Sequence, residues 1–489
     1  MAESKDTSKP ETKHEQKKET EKPKDEQVIA KHELKVNNKT ITYTTYTGTL
    51  VIKREEDEKE PQPKASMFYI AYIKETDEIK RPITFSFNGG PGSSSVWLHL
   101  GLLGPKRVIS EKAEPKILPP PYELVDNEFT LLDDTDLVFI DPVSTGYSRA
   151  VPGEKNTQFH NFKKDIESVG EVIRLLTTRF KRWSSPKFLI GESYGTTRSA
   201  GLSGFLLDKY GLYLNGIMLI SSILNFVTAR FDSGNDLPYV LFLPTYATTA
   251  WYHKKTSYES LDQLVQEVKD FANKDYYLAL MKGDQLQGEE RTQIVKKLAS
   301  FTGLSEEYIE QTNLRINIHK FCKELLRKEG STVGRLDSRY KAFDLDGTGE
   351  VPEFDPYYPA IQGPYTATFN DYVRSELNYE NDLPYEILGS LYKTWKYDSH
   401  QNQYVNVAET LRSAMSKNTY LKVYVANGYF DLATPFFATE YTFNHLGLKK
   451  DLIGNIKMSY YEAGHMMYSH LPSLERLQKE LVEFIKSSY

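Results

Sequence analysis

Cysteine is almost missing from this chain, which has Cys322 as the one cysteine among its 489 residues. A single cysteine excludes a disulfide within the chain, so the fold does not depend on an oxidising compartment. We expect Cys322 to be an ordinary buried apolar side chain. The sequence also has no C-x-x-C or H-E-x-x-H pattern, so it gives no support for a zinc site, and we predict no bound metal.

Long apolar runs are missing as well. No stretch approaches the roughly 18 apolar residues that a membrane-spanning helix requires, so we predict no membrane insertion. The formal net charge is −6, with acidic and basic residues intermixed along the chain. This charge pattern gives no footprint for nucleic acid, and no nucleic-acid partner is predicted. Nothing in the sequence determines the oligomeric state.

Residues 1–27 are rich in Lys, Glu, Thr and Pro and almost free of apolar side chains. Such a segment buries too little apolar surface to fold, so we predict a disordered charged tail over 1–27. The segment also lacks the apolar region of a signal peptide, which predicts a cytoplasmic location for the chain as written. The alternative is an exported protein whose precursor begins further upstream.

From residue 28 onward, short buried strands alternate with helical segments. A hairpin is predicted over 32–54, with its turn at Asn37 and Asn38, followed by a charged loop over 55–64. The further predicted strands cover 66–74, 82–87, 137–140, 187–190, 216–220, 421–426 and 456–461. This alternation predicts an α/β fold with a mostly parallel central sheet and helices on both faces.

A long helical and loop-rich stretch interrupts this alternation. We interpret residues 224–397 as a helical insertion that caps the open ends of the strands. It divides the core into a first part over 28–223 and a second part over 398–489. With 39% hydrophobic residues the chain has ample material for one large core.

The most informative motif is a G-x-S-x-G pentapeptide centred on Ser193. The predicted strand 187–190 precedes it and a predicted helix over 196–210 follows it. A serine on such a sharp strand-to-helix turn presents its hydroxyl at the top of a sheet, where a substrate can reach it. Gly191 and Gly195 let the backbone make that turn without a clash. We therefore interpret Ser193 as a nucleophile; the alternative is a chance match in a glycine-bearing loop.

A serine nucleophile needs a base to take its proton and an acid to orient that base. On sheets with this kind of turn, the partners follow in the order serine, aspartate or glutamate, histidine. Asp431 lies just past the predicted strand 421–426, and His465 lies just past the predicted strand 456–461. This order predicts a Ser193–Asp431–His465 triad, although each partner alone also fits an ordinary loop residue.

The negative oxygen that forms during acyl transfer needs preorganised N–H donors. One would come from Tyr194, directly after the nucleophile. The N-G-G-P-G run over 88–92 follows the predicted strand 82–87 and is placed to supply the other, because glycines allow a close backbone approach. The alternative for this run is a plain tight turn.

Together these motifs resemble the serine carboxypeptidase family of α/β-hydrolases. The N-G-G-P-G-S-S run over 88–94 resembles the family's N-G-G-P-G-x-S-S loop, and the G-E-S-Y turn at Ser193 resembles its nucleophile turn. The surroundings of Asp431 and His465 resemble its aspartate and histidine blocks. The D-P-V and G-Y-S pieces within 141–148 resemble a fifth block. The five blocks follow in the family's order over nearly the whole predicted ordered chain.

The resemblance implies an enzyme that removes single residues from peptide C-termini through an acyl-enzyme. Ser193 would be the nucleophile, His465 the general base and then acid, and Asp431 the orienting group. The N–H groups of Gly90 and Tyr194 would form the oxyanion hole. Chemistry of this kind requires no cofactor.

The resemblance also implies that Asn88 and Glu192 bind the terminal carboxylate of a peptide substrate. Glu192 lies next to the nucleophile, where that carboxylate must dock. Two ionised carboxylates at hydrogen-bond distance repel, so binding requires one proton between them. We therefore predict that peptide hydrolysis is favoured at mildly acidic pH.

Some positions depart from the family's secreted members. Ser93 stands where many of them have cysteine, and Ser86 where many have tryptophan, which indicates a divergent, bacterial-type branch. Two other functions stay open: an esterase or acyltransferase on the same scaffold, and a non-catalytic binding protein. Asn88 and Glu192 favour the peptidase, since an ester site has no need to bind a free carboxylate.

One acidic segment partly fits the twelve-residue calcium loop. It runs from Asp344 through Gly349 to Asp355, where the last position should be glutamate. Pro356 and Pro359 also disfavour the helix that should follow. We therefore favour a turn-rich acidic loop over a calcium site.

Overall fold

The computed structural model describes residues 23–56, 59–109, 115–397 and 400–489. Most of the predicted tail, residues 1–22, lies outside the described residues. Glu26 and Gln27, which the prediction placed in the tail, already belong to the first strand, where they pair with Thr49 and Gly48. The backbone hydrogen bonds of this pairing order a segment that has few apolar side chains.

The described residues contain fourteen strands, which are β1 (Glu26–Val36), β2 (Lys39–Glu56), β3 (Lys59–Lys74), β4 (Ile83–Phe87), β5 (Lys106–Val108), β6 (Leu124–Asp126), β7 (Asp136–Ile140), β8 (Arg149–Ala150), β9 (Lys187–Ser193), β10 (Gly216–Ser222), β11 (Ser331–Val333), β12 (Lys341–Phe343), β13 (Lys422–Gly428) and β14 (Ile456–Tyr461). Ten of them form one sheet in the order β1-β2-β3-β7-β4-β9-β10-β13-β14, with β8 paired to β3.

Six neighbouring strands, β7, β4, β9, β10, β13 and β14, run parallel to one another. The first three strands extend this sheet in antiparallel fashion. Strands β4, β7 and β10 are buried along their whole length, as strands are when helices cover both faces of a parallel sheet. The predicted mostly parallel sheet is confirmed, and the carboxyl ends of its parallel strands lie at one edge.

Fourteen α-helices occur in the described residues, and they are α1 (Val96–Leu98), α2 (Phe162–Arg179), α3 (Tyr194–Tyr210), α4 (Leu237–Tyr252), α5 (Leu261–Phe271), α6 (Tyr277–Lys282), α7 (Gly288–Thr302), α8 (Glu306–Gln311), α9 (Ile318–Glu324), α10 (Tyr358–Ser375), α11 (Ala408–Lys417), α12 (Phe436–Asn444), α13 (Lys450–Ile453) and α14 (Leu471–Ser487). Helices α10 and α14 bury apolar side chains on one face of the sheet, and α2, α3 and α11 do so on the other. Within the described ranges, no helix combines the length and the apolar character needed to cross a membrane.

The predicted loop over 55–64 is wrong. Of the described residues in this segment, β2 reaches Glu56 and β3 begins at Lys59, and Arg54 pairs with Gln62. Lys53, Arg54 and Gln62 are all exposed. Because this end of the hairpin buries little, its sequence lacks the alternation of apolar and polar residues that announces a strand.

Between β10 and β13 the chain leaves the sheet and builds a third hydrophobic cluster from α4, α5, α7 and α9. We propose residues 224–397 as the extent of this cap. The cap is not purely helical, because β11 and β12 form an antiparallel pair. A helix does follow Pro356, contrary to expectation: Pro359 lies in the first turn of α10, where proline removes no helical hydrogen bond.

Candidate active site

Ser193 lies where β9 ends and α3 begins, at the carboxyl edge of the parallel strands. Its backbone has φ 59° and ψ −128°, a strained conformation for a residue with a side chain. The turn is tight, since a Cβ on Gly191 would come within 2.1 Å of the Gly195 carbonyl oxygen. The pentapeptide therefore forms a sharp strand-to-helix turn with a half-buried serine at its apex.

Asp431 lies in the loop after β13 and is fully buried. Its Oδ1 accepts hydrogen bonds from the backbone amides of Ala433 at 2.8 Å and Thr434 at 3.0 Å. Its Oδ2 accepts one from the Thr434 hydroxyl at 2.6 Å. These donors hold the carboxylate in one orientation.

His465 lies in the loop after β14, with its Nδ1 2.8 Å from Oδ2 of Asp431. Burial alone would lower the pKa of this imidazole, but the charge and hydrogen bond of Asp431 outweigh burial and raise the pKa. The His465 carbonyl accepts a hydrogen bond of 2.6 Å from the hydroxyl of Ser221 on β10. Because β10 also pairs with β9, this bond anchors His465 close to the turn of Ser193.

Among the hydrogen bonds of the described residues, none joins the Ser193 hydroxyl to Nε2 of His465. Such bonds are often long in an unliganded site and shorten when substrate binds. The structure thus brings Asp431 and His465 into contact and leaves Ser193 at the same edge of the sheet. The proton transfer between Ser193 and His465 stays a prediction.

The N-G-G-P-G run leaves β4 directly beside the turn, since Phe87 pairs with Gly191. Gly89 packs so closely against the turn that a Cβ there would lie 2.5 Å from the Tyr194 amide nitrogen. Gly90 is exposed and has φ +104°, a conformation that favours glycine. Tyr194 opens α3, where an amide has no acceptor within the helix. The two predicted donor amides therefore belong to segments that touch at the turn.

Glu192 is 3% exposed, and no lysine or arginine pairs with it in the described ranges. Its Oε1 accepts a hydrogen bond from the Asn88 amide group at 3.1 Å, and its Oε2 accepts one from the Tyr468 hydroxyl. Burial raises the pKa of Glu192 to about 7, although the charge of His465 and both hydrogen bonds oppose the rise. The negative charge of Asp431 adds to it. Glu192 therefore exchanges a proton near neutral pH.

A buried ion pair contacts the loop of Asn88 and stabilises it. Arg198 on α3 is 1% exposed and donates to both carboxylate oxygens of Asp165, at 2.9 and 3.1 Å. It also donates to the Asn88 carbonyl at 2.6 Å. The Asn88 side-chain oxygen accepts from the Leu98 amide, so the NH₂ group of Asn88 is turned toward Glu192.

Several of these supporting residues were not predictable from the sequence. Tyr468 and Glu192 are 276 positions apart in the chain, and Arg198 and Asp165 are 33 apart. Neither contact leaves a local pattern. The one signal available was that Tyr468, like Thr434 and Arg198, follows a predicted catalytic residue by a few positions.

The acidic segment that partly fits a calcium loop already binds the charged side chain of a lysine. The Lys323 ammonium contacts the Asp344 carboxylate and the Asp346 carbonyl, and the side chains of the ion pair are each 2% exposed. Arg327 donates to the Gly347 carbonyl in the same loop. Among the described residues, no group of three or more His, Cys, Asp or Glu side chains is arranged to hold a metal ion. These contacts support the turn-rich loop.

Comparison with known proteins places these motifs in one family. The family model for serine carboxypeptidases matches residues 36–466. Among curated proteins, the chain is similar to carboxypeptidase Y homolog A from two strains of Ajellomyces capsulatus, with 31% and 29% identity over 130 residues. That alignment covers 26% of this chain and 21% of each relative, so the chain matches about a fifth of the length of these relatives.

Among solved structures, the chain is similar to Kex1(delta)p, a prohormone-processing carboxypeptidase from Saccharomyces cerevisiae. The TM-score is 0.55 at 16% identity, and 91% of each chain is covered. At this identity the likeness shows a shared fold, and the predicted α/β-hydrolase architecture is confirmed. Since the family match spans most of its length, the chain belongs to the serine carboxypeptidase family.

Proposed function

We propose that this protein is a serine carboxypeptidase that releases C-terminal amino acids from peptides through an acyl-enzyme intermediate. One observation carries the proposal: the buried pair of Asn88 and Glu192 lies directly beside Ser193. A carboxylate-binding pair at this place fixes the end of a peptide so that its last peptide bond reaches the nucleophile. An ester or an internal peptide bond presents no group for this pair.

The reaction follows from the proposed roles. Ser193 Oγ attacks the carbonyl carbon of the last peptide bond while His465 Nε2 takes its proton. The amides of Gly90 and Tyr194 stabilise the resulting oxyanion. His465 then gives the proton to the nitrogen of the departing amino acid, and the peptide remains as an ester on Ser193. Water, deprotonated by His465, hydrolyses that ester and restores the enzyme.

The protonation of the site sets the pH dependence. Glu192 must carry a proton when the substrate carboxylate binds, because two ionised carboxylates repel. Its pKa of about 7 means that the protonated form is present at mildly acidic pH and is lost as the pH rises through 7. His465 must be neutral to act as a base, and because Asp431 raises its pKa, kcat/KM should fall again as the pH drops further and the imidazole takes up a proton. We expect kcat/KM for peptides to be highest at mildly acidic pH.

Ester hydrolysis or acyl transfer to an alcohol is the alternative on this scaffold. The same triad and donor amides serve both reactions, but neither needs a site for a free carboxylate. The support that Arg198 and Tyr468 give to Asn88 and Glu192 therefore favours the peptidase.

The test is mass spectrometry of N-blocked peptides incubated with wild type and Ser193→Ala between about pH 4 and 8, the range in which a raised carboxylate pKa acts. We expect wild type alone to remove single C-terminal residues, and C-terminal amidation to slow it. The matched control is Ser203→Ala, which removes a buried serine hydroxyl from the neighbouring helix α3 and should keep activity. Cleavage of simple esters without cleavage of peptides would indicate an esterase. Failure of folded wild type to react with a serine-directed phosphonate would indicate a binding protein.

A further inference from the structure

The sheet alone does not hold the loops of Asp431 and His465 together. The pairing of β13 with β14 ends at Gly428 and Tyr461, before either residue. Two further backbone hydrogen bonds join the loops directly. A turn of the cap also lies against both loops. This bridging turn comprises residues 335–339, between β11 and β12.

The bridging turn binds the residues on either side of Asp431. The Leu432 amide donates to the Arg335 carbonyl at 3.0 Å. The Ser338 amide donates to the Phe430 carbonyl, also at 3.0 Å. The backbone before and after Asp431 is thus fixed by one short segment of the cap.

The same turn binds the residues at His465. The His465 amide donates to the Leu336 carbonyl at 2.7 Å, and the Gly464 amide donates to the Asp337 carboxylate at 3.2 Å. A Cβ on Gly464 would lie 2.4 Å from the Cβ of Asp337, so the two backbones are in direct contact. The loop of His465 therefore rests on the turn that also fixes the loop of Asp431.

A buried ion pair gives the bridging turn its shape. Arg339 donates to both carboxylate oxygens of Asp337, at 3.0 and 2.6 Å, and the two residues are 7% and 1% exposed. Arg339 also donates to the Glu462 carbonyl at 2.9 Å, and its guanidinium lies 5.7 Å from the centre of the Phe430 ring. One ion pair thus contacts the loops of both catalytic partners.

We propose that Asp337 is a positioning residue for the reaction: through the bridging turn it sets the distance between Asp431 and His465, so that the cap takes part in catalysis. The inference rests on the proposed function. Asp337 does not touch substrate, and its loss should slow the chemical step while leaving substrate binding at Asn88 and Glu192 intact. That pattern separates positioning from a merely structural role.

The experiment compares Asp337→Asn with a matched control, Asp136→Asn. Asp136 is also fully buried and forms ion pairs with Arg81 and Arg182, but it lies at the amino end of β7, away from the site. Both variants should melt at a lower temperature than wild type. At a temperature where both are folded, only Asp337→Asn should lose kcat, by about 10- to 100-fold as expected for a misplaced catalytic group, with KM unchanged. Its reaction with a serine-directed phosphonate should slow in parallel.

A kcat of Asp337→Asn that equals wild type, or that falls no further than in Asp136→Asn, would overturn the inference. If Asp337→Asn does not fold, Arg339→Lys takes its place, since it keeps a buried cation but loses the two-point contact with Asp337. Wild-type kcat in folded Arg339→Lys would then overturn it. Absence of Ser193-dependent peptide hydrolysis in wild type, by contrast, would refute the proposed function itself.

Discussion

Glu192 and Glu480 both accept hydrogen bonds from tyrosine hydroxyls, yet their pKa values move in opposite directions. Glu480 on α14 accepts from Tyr424 at 2.6 Å and from Tyr461 at 2.9 Å, and pairs with Arg476 at 2.9 Å. Burial raises its pKa, but the hydrogen bonds that it accepts outweigh burial and bring the pKa to about 2. Glu480 is therefore ionised throughout the working range of a protein.

Glu192 beside the nucleophile has a tyrosine donor as well, in Tyr468, but no lysine or arginine among the described residues pairs with it, and it has almost no contact with solvent. Burial raises its pKa to about 7. The depth of burial and the number of hydrogen bonds accepted, rather than the presence of a tyrosine, thus separate a structural carboxylate from one that can share a proton with an anionic ligand.

The largest expected consequence concerns stability. Folding raises the pKa of Glu192 from 4.5 to about 7, so its contribution to stability is fully present below pH 4.5 and is lost as the pH rises through 7. That shift corresponds to about 3 kcal/mol. We expect the free energy of unfolding of Glu192→Gln, measured with urea, to rise relative to wild type by about this amount between roughly pH 4 and 9.

Glu480→Gln is the control with the opposite sign. Because folding lowers the pKa of Glu480, its contribution is present above pH 4.5 and is lost as the pH falls toward 2. Glu480→Gln should therefore be less stable than wild type at neutral pH, by about 1 kcal/mol once solvent screening is included. A difference between Glu192→Gln and wild type that stays constant with pH would show that the two glutamates do not differ in this way.

The next effect is on activity toward peptides with a free C-terminus. Above pH 7 the wild-type kcat/KM should fall roughly tenfold for each pH unit, as Glu192 loses its proton. Glu192→Gln keeps a neutral donor at every pH, so its profile should stay flat there, and Glu480→Gln should follow wild type. Equal alkaline profiles for wild type and Glu192→Gln would remove Glu192 from carboxylate binding.

Local sequence pattern explains which parts of this site were predictable. The turn of Ser193 is complete within five residues. Asp431 and His465 each follow a strand that the local sequence pattern predicts. Tyr468 and the bridging turn were not predictable, because their contacts join distant segments through backbone groups and buried polar side chains. The extension of β2 and β3 was missed for a related reason: exposed side chains such as those of Arg54 and Gln62 leave no period in the sequence.

The smallest effect tests the tyrosine itself. The Tyr468 hydroxyl donates to the ionised form of Glu192 and so holds its pKa down. Tyr468→Phe keeps the ring and should raise the pKa of Glu192 by about one unit. The alkaline limb of kcat/KM for peptides with a free C-terminus should then move to higher pH by the same amount. At mildly alkaline pH, Tyr468→Phe should therefore have a higher kcat/KM than wild type, although it has lost one contact. Tyr461→Phe, which removes the equivalent donor from Glu480, should leave the limb in place. If the limb of Tyr468→Phe stays fixed or moves to lower pH, solvent exclusion alone sets the proton affinity of Glu192, and the tyrosine serves only to pack the site.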